Sequence, residues 1–265
     1  MVKKITIAID AMGGENAPKK NIEGLEIFLK KNKSNSDFVI HLFGDKEILT
    51  KYLEKLNIND VRVKIIHSDA VISDEETPLT AIKNSKNTSM WNSIKSQVDG
   101  EADISLSAGN TGVLLVISRM ILKTMSEVSK PALAGLWPSK KNMSVVLDLG
   151  ANIECDEKNL IDFSELGSAL YKSIFPELKP CVSLLNIGSE EIKGTETLKK
   201  AHAKLKEMKD NNFHFNGYIE GNEIMNGDTN VIVTDGFTGN IALKTAEGTA
   251  NFLTKNLKKS LNKLS

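Results

Sequence analysis

Short apolar runs alternate along the chain with segments whose apolar residues return every three or four positions. The runs predict buried strands at residues 4–10, 38–43, 61–67, 144–149, 182–187, 213–219 and 230–234, with a further run ending at Ser107. The helical spacing predicts helices at 21–31, 47–56, 162–175 and 196–209, one within 79–97, one after Gly112, and one from Ile241 to the end. Residues 73–78 read as an acidic loop and 130–138 as an extended connector. Strands alternating with helices predict an α/β fold: a three-layer α/β/α sandwich with a mostly parallel sheet and helices on both faces. No fixed period marks a repeat architecture, and no linker-like stretch divides the chain. It is read as a single domain, 1–265, although this length also suits two closely joined units.

The breaks after the strands are unusually alike. Glycine or asparagine turns follow apolar runs at Asp10-Ala-Met-Gly-Gly14, Gly109-Asn-Thr-Gly112, Asp148-Leu-Gly-Ala-Asn152, Asn186-Ile-Gly188 and Asp235-Gly-Phe-Thr-Gly-Asn240. A strand, a glycine turn and a helix start in succession form an anion site, because the first N–H groups of a helix lack partners and carry its positive dipole end. Each turn taken alone is equally a tight connection whose Asn and Gly accept unusual backbone angles. Turns at the C-terminal ends of parallel strands gather on one edge, where open α/β sheets bind ligands.

Composition narrows the classes. Basic and acidic residues balance at 34 each and aromatics are 5% of the chain, which argues against a nucleic-acid binder or a base-stacking platform. The two cysteines, Cys155 and Cys181, lie far apart, which predicts a reduced, cytoplasmic protein. Neither a signal peptide nor a spanning segment is visible.

The four histidines are scattered and have no metal-ligand spacing, so no metal and no cofactor is expected. There is no nucleophile elbow, Walker loop or well-formed dinucleotide fingerprint. Lys193 follows a strand end beside Gly194 and reads either as an anion-neutralising cation or as a solvated partner of Glu190 and Glu191. Asn110, Asn152, Asn186 and Asn240 are turn-formers or ligand donors. Asp10, Asp148 and Asp235 read first as caps for the loops that follow them.

Five segments together resemble the bacterial phosphate acyltransferase family: residues 10–18, Ser107-Ala-Gly-Asn-Thr-Gly112, Leu147-Asp-Leu-Gly-Ala-Asn152, Leu185-Asn-Ile-Gly-Ser-Glu-Glu-Ile-Lys-Gly194 and residues 235–244. The likeness runs from residue 5 to about residue 250, in the family's order. It implies a fold like the isocitrate and isopropylmalate dehydrogenases, a homodimer, and formation of acyl phosphate from acyl-acyl carrier protein and inorganic phosphate. That product would feed a membrane glycerol-3-phosphate acyltransferase, so a cytoplasmic, peripherally membrane-associated enzyme is implied. Lys193 and Asn240 become the catalytic candidates. Gly13, Gly14, Gly109, Asn110, Thr111, Gly112, Asn152, Asn186 and Gly239 become candidates for holding phosphate or substrate.

Glu15-Asn16 departs from the family's usual Asp-His, and the family's glycine-rich C-terminal segment does not follow, so either a truncated copy or a fragment is expected. A dehydrogenase of the related folds and a catalytically silent anion- or acyl-binding module are the competing readings. Finally, Leu243, Ala246, Ala250, Leu253, Leu257, Leu261 and Leu264 form one apolar stripe beside Lys255, Lys258, Lys259 and Lys263. The stripe is either core or a surface for a partner chain or an anionic membrane.

Overall fold

The computed structural model describes residues 4–73, 76–208 and 212–262. The chain divides into two compact units, Met1–Thr124 and Met125–Ser265, each built on its own sheet.

The first unit runs β1 (Ile5–Asp10), α1 (Lys19–Lys31), β2 (Phe38–Gly44), α2 (Lys46–Lys55), β3 (Val63–His67), α3 (Pro78–Asn84), α4 (Ser89–Val98), β4 (Ile104–Ser107) and α5 (Thr111–Leu122). Its sheet has the order β3-β2-β1-β4 and is parallel throughout. Alternation along the strands divides the apolar residues between two faces. Phe38, Ile40 and Leu42 pack with Ile22, Leu25 and Leu29 of α1 and Leu49 of α2. On the other face, the Ser105 hydroxyl donates to the Ser93 carbonyl of α4 at 2.7 Å, and Ser105 is paired with Ala8. Met90 and Ile94 of α4 then bury Val113 and Ile117 of α5.

The second unit runs β5 (Gly135–Pro138), β6 (Met143–Leu147), α6 (Glu157–Ile174), β7 (Cys181–Asn186), α7 (Glu196–Glu207), β8 (His214–Glu220), a short 3-10 turn (Ile224–Asn226), β9 (Val231–Val233) and α8 (Gly236–Leu261). The order is β5-β6-β9-β7-β8, parallel except for the edge strand β5. β9 lies between β6 and β7, and all three of its residues are fully buried. Val145, Leu147, Val182, Leu184, Val231 and Val233 meet α6 and α7 through Phe163, Tyr171, Ala201 and Leu205. Val146, Leu185, Ile219 and Ile232 form the opposite face with Trp137, against Ala242, Leu243 and Ala246 of α8.

Helices thus cover both faces of each mostly parallel sheet, as the alternation predicts. Four elements differ from their expectations. Residues 79–97 hold two helices, because Thr77 and Thr88 each cap a separate start. The connector at 130–138 contributes β5. Helix α6 begins at Glu157 instead of residue 162, set by a reciprocal cap between Asp156 and Asn159. Helix α8 begins at Gly236 instead of Ile241, so the 236–240 turn is its first turn. Parts of three readings (74 and 75 in the acidic loop, Lys209 of the α7 region, Lys263 and Leu264 of the stripe) lie outside the described residues.

The stripe on α8 is divided. Leu243 and Ala246 enter the core, whereas every residue from Glu247 to Asn262 is exposed, including Phe252, Leu253, Leu257 and Leu261. Among the described residues no helix is long and apolar enough to cross a membrane.

Candidate functional site

In the first unit two neighbouring strand ends are tied together. Asp10 closes β1 and is 1% exposed; Ser107 closes β4 and is its register partner. The Ser107 hydroxyl donates to Asp10 Oδ2 at 2.7 Å and accepts the Gly109 N–H at 3.1 Å. Asp10 Oδ1 accepts the Met12 N–H at 3.3 Å, and the Asn21 carboxamide donates to the carbonyls of Ala11 and Gly13 at 2.9 and 3.0 Å.

Gly13 lies so close over this pair that a Cβ would fall onto Asp10 Oδ2. At Gly14, with φ +98°, a Cβ would come 2.6 Å from the Ala108 carbonyl. The two glycine turns of this unit, 12–14 and 107–112, are therefore packed against each other. Asn110 caps α5, accepting the Val113 N–H at 3.1 Å. Helical geometry leaves the N–H groups of Thr111 and Gly112 without acceptors within the helix. A cleft of about 370 Å³ beside Asp10 and Ser107 is walled by Ile9, Leu25, Phe28 and Leu106 and edged by Lys20.

In the second unit the ends of β6, β9 and β7 adjoin. Asp148, just past β6, is fully buried, and its carboxylate accepts five hydrogen bonds. Oδ1 takes the N–H groups of Leu133, Gly150 and Ala151 at 3.0, 3.1 and 2.9 Å; Oδ2 takes the N–H and the Nδ2 of Asn152, both at 2.7 Å. Successive N–H groups of this kind form an anion-binding nest, and here the anion is internal.

Asn152 also gives Nδ2 to the Pro131 carbonyl at 2.7 Å. A carboxamide has two N–H donors, so both are in use, and its side chain keeps only acceptor capacity for a ligand. Asn152, read from the sequence as a turn-former or ligand donor, is here a fastening of its own turn.

Helix α8 rests on that turn. The Gly236 N–H donates to the Asn152 carbonyl at 2.8 Å, and Gly239 sits where any Cβ would fall onto the Asp148 carbonyl. The Gly239 N–H is taken by the Asp235 carbonyl at 2.9 Å, so it is not an open donor as the loop reading implied. Asp235 caps the helix through the Thr238 N–H at 2.8 Å. Asn240 belongs to this first turn, not to a loop. It is exposed, its side chain lies beside Gly150, and among the described residues its carboxamide has no hydrogen-bond partner.

Past β7, Asn186 Oδ1 accepts the Ile187 N–H at 2.9 Å while Nδ2 donates to the Lys193 carbonyl at 3.1 Å. One Asn186 donor therefore remains. The Lys193 stem crosses Gly188, and its Nζ pairs with Glu190 at 2.9 Å. That hydrogen bond holds Glu190 below the usual carboxylate range. Lys193 is thus paired with Glu190, whereas Glu191 pairs with Lys206, and the Lys193 side chain is nearly half exposed.

Cys155 lies behind the Asp148 turn as a free, half-buried thiol. Burial, helped by the Asp148 charge, pushes its thiol up to about 11. Sequence reasoning did not single out Ser107 or Asn21, whose only signal was position: the last residue of a strand, and a polar residue in a helix's first turn.

Both units are mostly parallel α/β sheets with helices on both faces and glycine turns at their strand ends. The same fold occurs in a phosphotransacetylase from Staphylococcus aureus, with a TM-score of 0.62 and 17% identity over 94% of this chain and 84% of that one. A phosphotransacetylase from Streptococcus pyogenes gives 0.64 and 16% over 93% and 82%.

Sequence narrows the class further. The family model described as fatty acid synthesis protein matches residues 5–265. A phosphate acyltransferase of Pelagibacter ubique is 56% identical over 98% of this chain and 77% of its own length, and one of Caulobacter vibrioides is 39% identical over 98% and 71%. The chain belongs to the phosphate acyltransferase family.

Proposed function

We propose that the protein transfers the acyl group of acyl-acyl carrier protein to inorganic phosphate, yielding acyl phosphate for glycerol-3-phosphate acylation. The observation that carries this reading is 56% identity to a phosphate acyltransferase across nearly the whole chain. The exposed Asn240 carboxamide and Lys193 at the strand ends suit it chemically.

A phosphate oxygen attacks the thioester carbonyl carbon, and a C–O bond forms. The tetrahedral oxyanion collapses with cleavage of the C–S bond, and the proton of hydrogen phosphate passes to the departing thiolate. Inorganic phosphate has its second ionisation near neutrality, so the dianion is at hand without a base, and a thiolate of pKa about 8.5 leaves readily; no Ser-His-Asp arrangement is needed. The reaction does need a seat for the dianion and donors for the oxyanion, each worth about 3–4 kcal/mol in comparable acyl transfers.

Lys193 and the remaining Asn186 donor suit the phosphate, and Asn240 suits the oxyanion. In the first unit the α5 N-terminus at Thr111 and Gly112, bounded by Gly13, Gly14, Gly109 and Asn110, is of the same anion-seeking kind. A homodimer at the membrane periphery completes this reading, since the product carries an acyl chain to a membrane enzyme.

The test is incubation of the chain with acyl-acyl carrier protein and phosphate, following acyl phosphate as its hydroxamate and the released thiol in parallel. Equal amounts of both, dependent on phosphate, are expected. A folded chain that binds either substrate and releases no thiol overturns the reading in favour of a silent binding module.

A further inference from the structure

Asp148 cannot touch a substrate. It is fully buried, and its two oxygens already hold five donors. Burying a charge is costly unless it is paired and hydrogen-bonded, and a turn of four residues needs no carboxylate merely to reverse direction. What the carboxylate holds is a chain of contacts that leads outward. It fixes Asn152 by two bonds. The Asn152 carbonyl then receives the Gly236 N–H, the first of α8. One turn along that helix, Gly239 presses on the carbonyl of Asp148 itself, and Asn240 comes to lie beside Gly150, 3.6 Å from where a Cβ there would stand to its Oδ1. The helix start is thus located from both sides by one residue, and the side chain it delivers to the surface is the unbonded carboxamide.

We propose that Asp148 is the positioning residue for Asn240, setting where that carboxamide stands for the transfer reaction; this rests on the function proposed above. All five neighbours are donors, so both side-chain oxygens must accept. Asp148→Asn turns an NH2 toward at least two of them in either orientation. The turn must then open and α8 must shift with it.

The test is a double-mutant cycle on kcat with D148N, N240A and the double variant, run where all three are folded. The core substitution F163L serves as a control of similar destabilisation. Each of D148N and N240A is expected to lower kcat about 100-fold, the loss that a misplacement near 1 Å produces. The double variant is expected to be no worse than either, while F163L and N240A multiply. Losses from D148N and N240A that multiply overturn the proposal.

Should D148N not fold, N152A takes its place, since it removes two of Asn152's side-chain bonds and keeps the carboxylate. An arm free of activity follows the Asn240 side-chain NH2 by 15N NMR. It should move in D148N or N152A and stay in place in F163L. An unmoved resonance overturns the positioning role even if acyl phosphate is made. A wild-type chain that makes none, with the resonance moving as expected, overturns the proposed function alone.

Discussion

The Ser107 hydroxyl and the Asp10 carboxylate, 97 positions apart in sequence, meet at 2.7 Å and join the ends of β4 and β1. Ser107 also accepts the Gly109 N–H, so one hydroxyl serves both glycine turns of the first unit. Ser107→Ala leaves a buried carboxylate and a backbone donor each short of a partner. It should cost about 1–3 kcal/mol of stability. Gly13→Ala should cost at least as much, because its methyl would meet the short, fixed Asp10 side chain. Urea midpoints of the two variants check both figures. A Ser107→Ala midpoint equal to that of wild type would show that water replaces the hydroxyl.

Lys193 lies in the turn that follows β7 and Asn240 near the start of α8, and neither fills a core. Lys193→Ala should lower kcat/KM at least tenfold and Asn240→Ala about 100-fold, about 1.4 and 2.7 kcal/mol of transition-state stabilisation, while each shifts stability by less than about 0.5 kcal/mol. Glu190→Gln should release Lys193 from its ion pair and lower the KM for phosphate. The measurements are steady-state kinetics beside a denaturation midpoint. Activity that falls only in step with stability would make both residues scaffold.

Burial lowers the pKa of both His202 and His41. His202 stacks on Tyr218 with ring centres 4.5 Å apart and meets Phe215 edge-on; burial lowers its pKa, with Glu191 opposing and Lys206 adding. Burial, then Lys64, lowers His41. Where the folded pKa is depressed, the unfolded chain takes up protons first as pH falls below about 6.5, so stability is lost on acidification and retained above. The urea midpoint should therefore fall between pH 7.5 and 5.5, and less steeply in a His41→Gln/His202→Gln variant. Parallel slopes would place the acid sensitivity elsewhere.

The exposed part of α8 carries Phe252, Leu253, Leu257 and Leu261 beside Lys255, Lys258 and Lys259. An amphipathic basic helix gains affinity for anionic surfaces from apolar burial and from charge. The chain should bind anionic vesicles weakly and self-associate, and vesicle binding should weaken as salt rises. A version ending at Glu247 should do less of both. Equal sedimentation with vesicles at low salt would remove the stripe from membrane contact.

The fold was largely legible because its strands are short apolar runs bounded by turn residues and its helices keep a regular spacing. The misread boundaries share a cause: a long-range demand overrode a local signal. Two glycines in five residues read as loop at 236–240, since glycine costs about 1 kcal/mol within a helix. Yet Gly239 is what lets α8 approach the Asp148 carbonyl. Pro131 and Pro138 marked 130–138 as a connector, although an edge strand accepts a proline at its end. The recurrent turns drew notice to Asn110, Asn152, Asn186 and Asn240 alike. Which of these amides is spent and which is open depends on carbonyls far away in sequence, such as Pro131 for Asn152.

The place of β9 has a consequence for how the chain is made. This strand lies between β6 and β7, yet follows both in sequence. A nascent chain leaving the ribosome can pair β1 with β2 and β2 with β3 from neighbouring segments. In the second unit β6 and β7 must wait for Val231–Val233 before either gains its inner neighbour. Non-local pairing of this kind is slow and leaves apolar edges exposed meanwhile. At about 5–20 residues per second, the interval between completing β7 and β9 is some seconds. In that interval Val145, Leu147, Val182 and Leu184 belong to unfinished sheet edges, which the arrival of β9 closes.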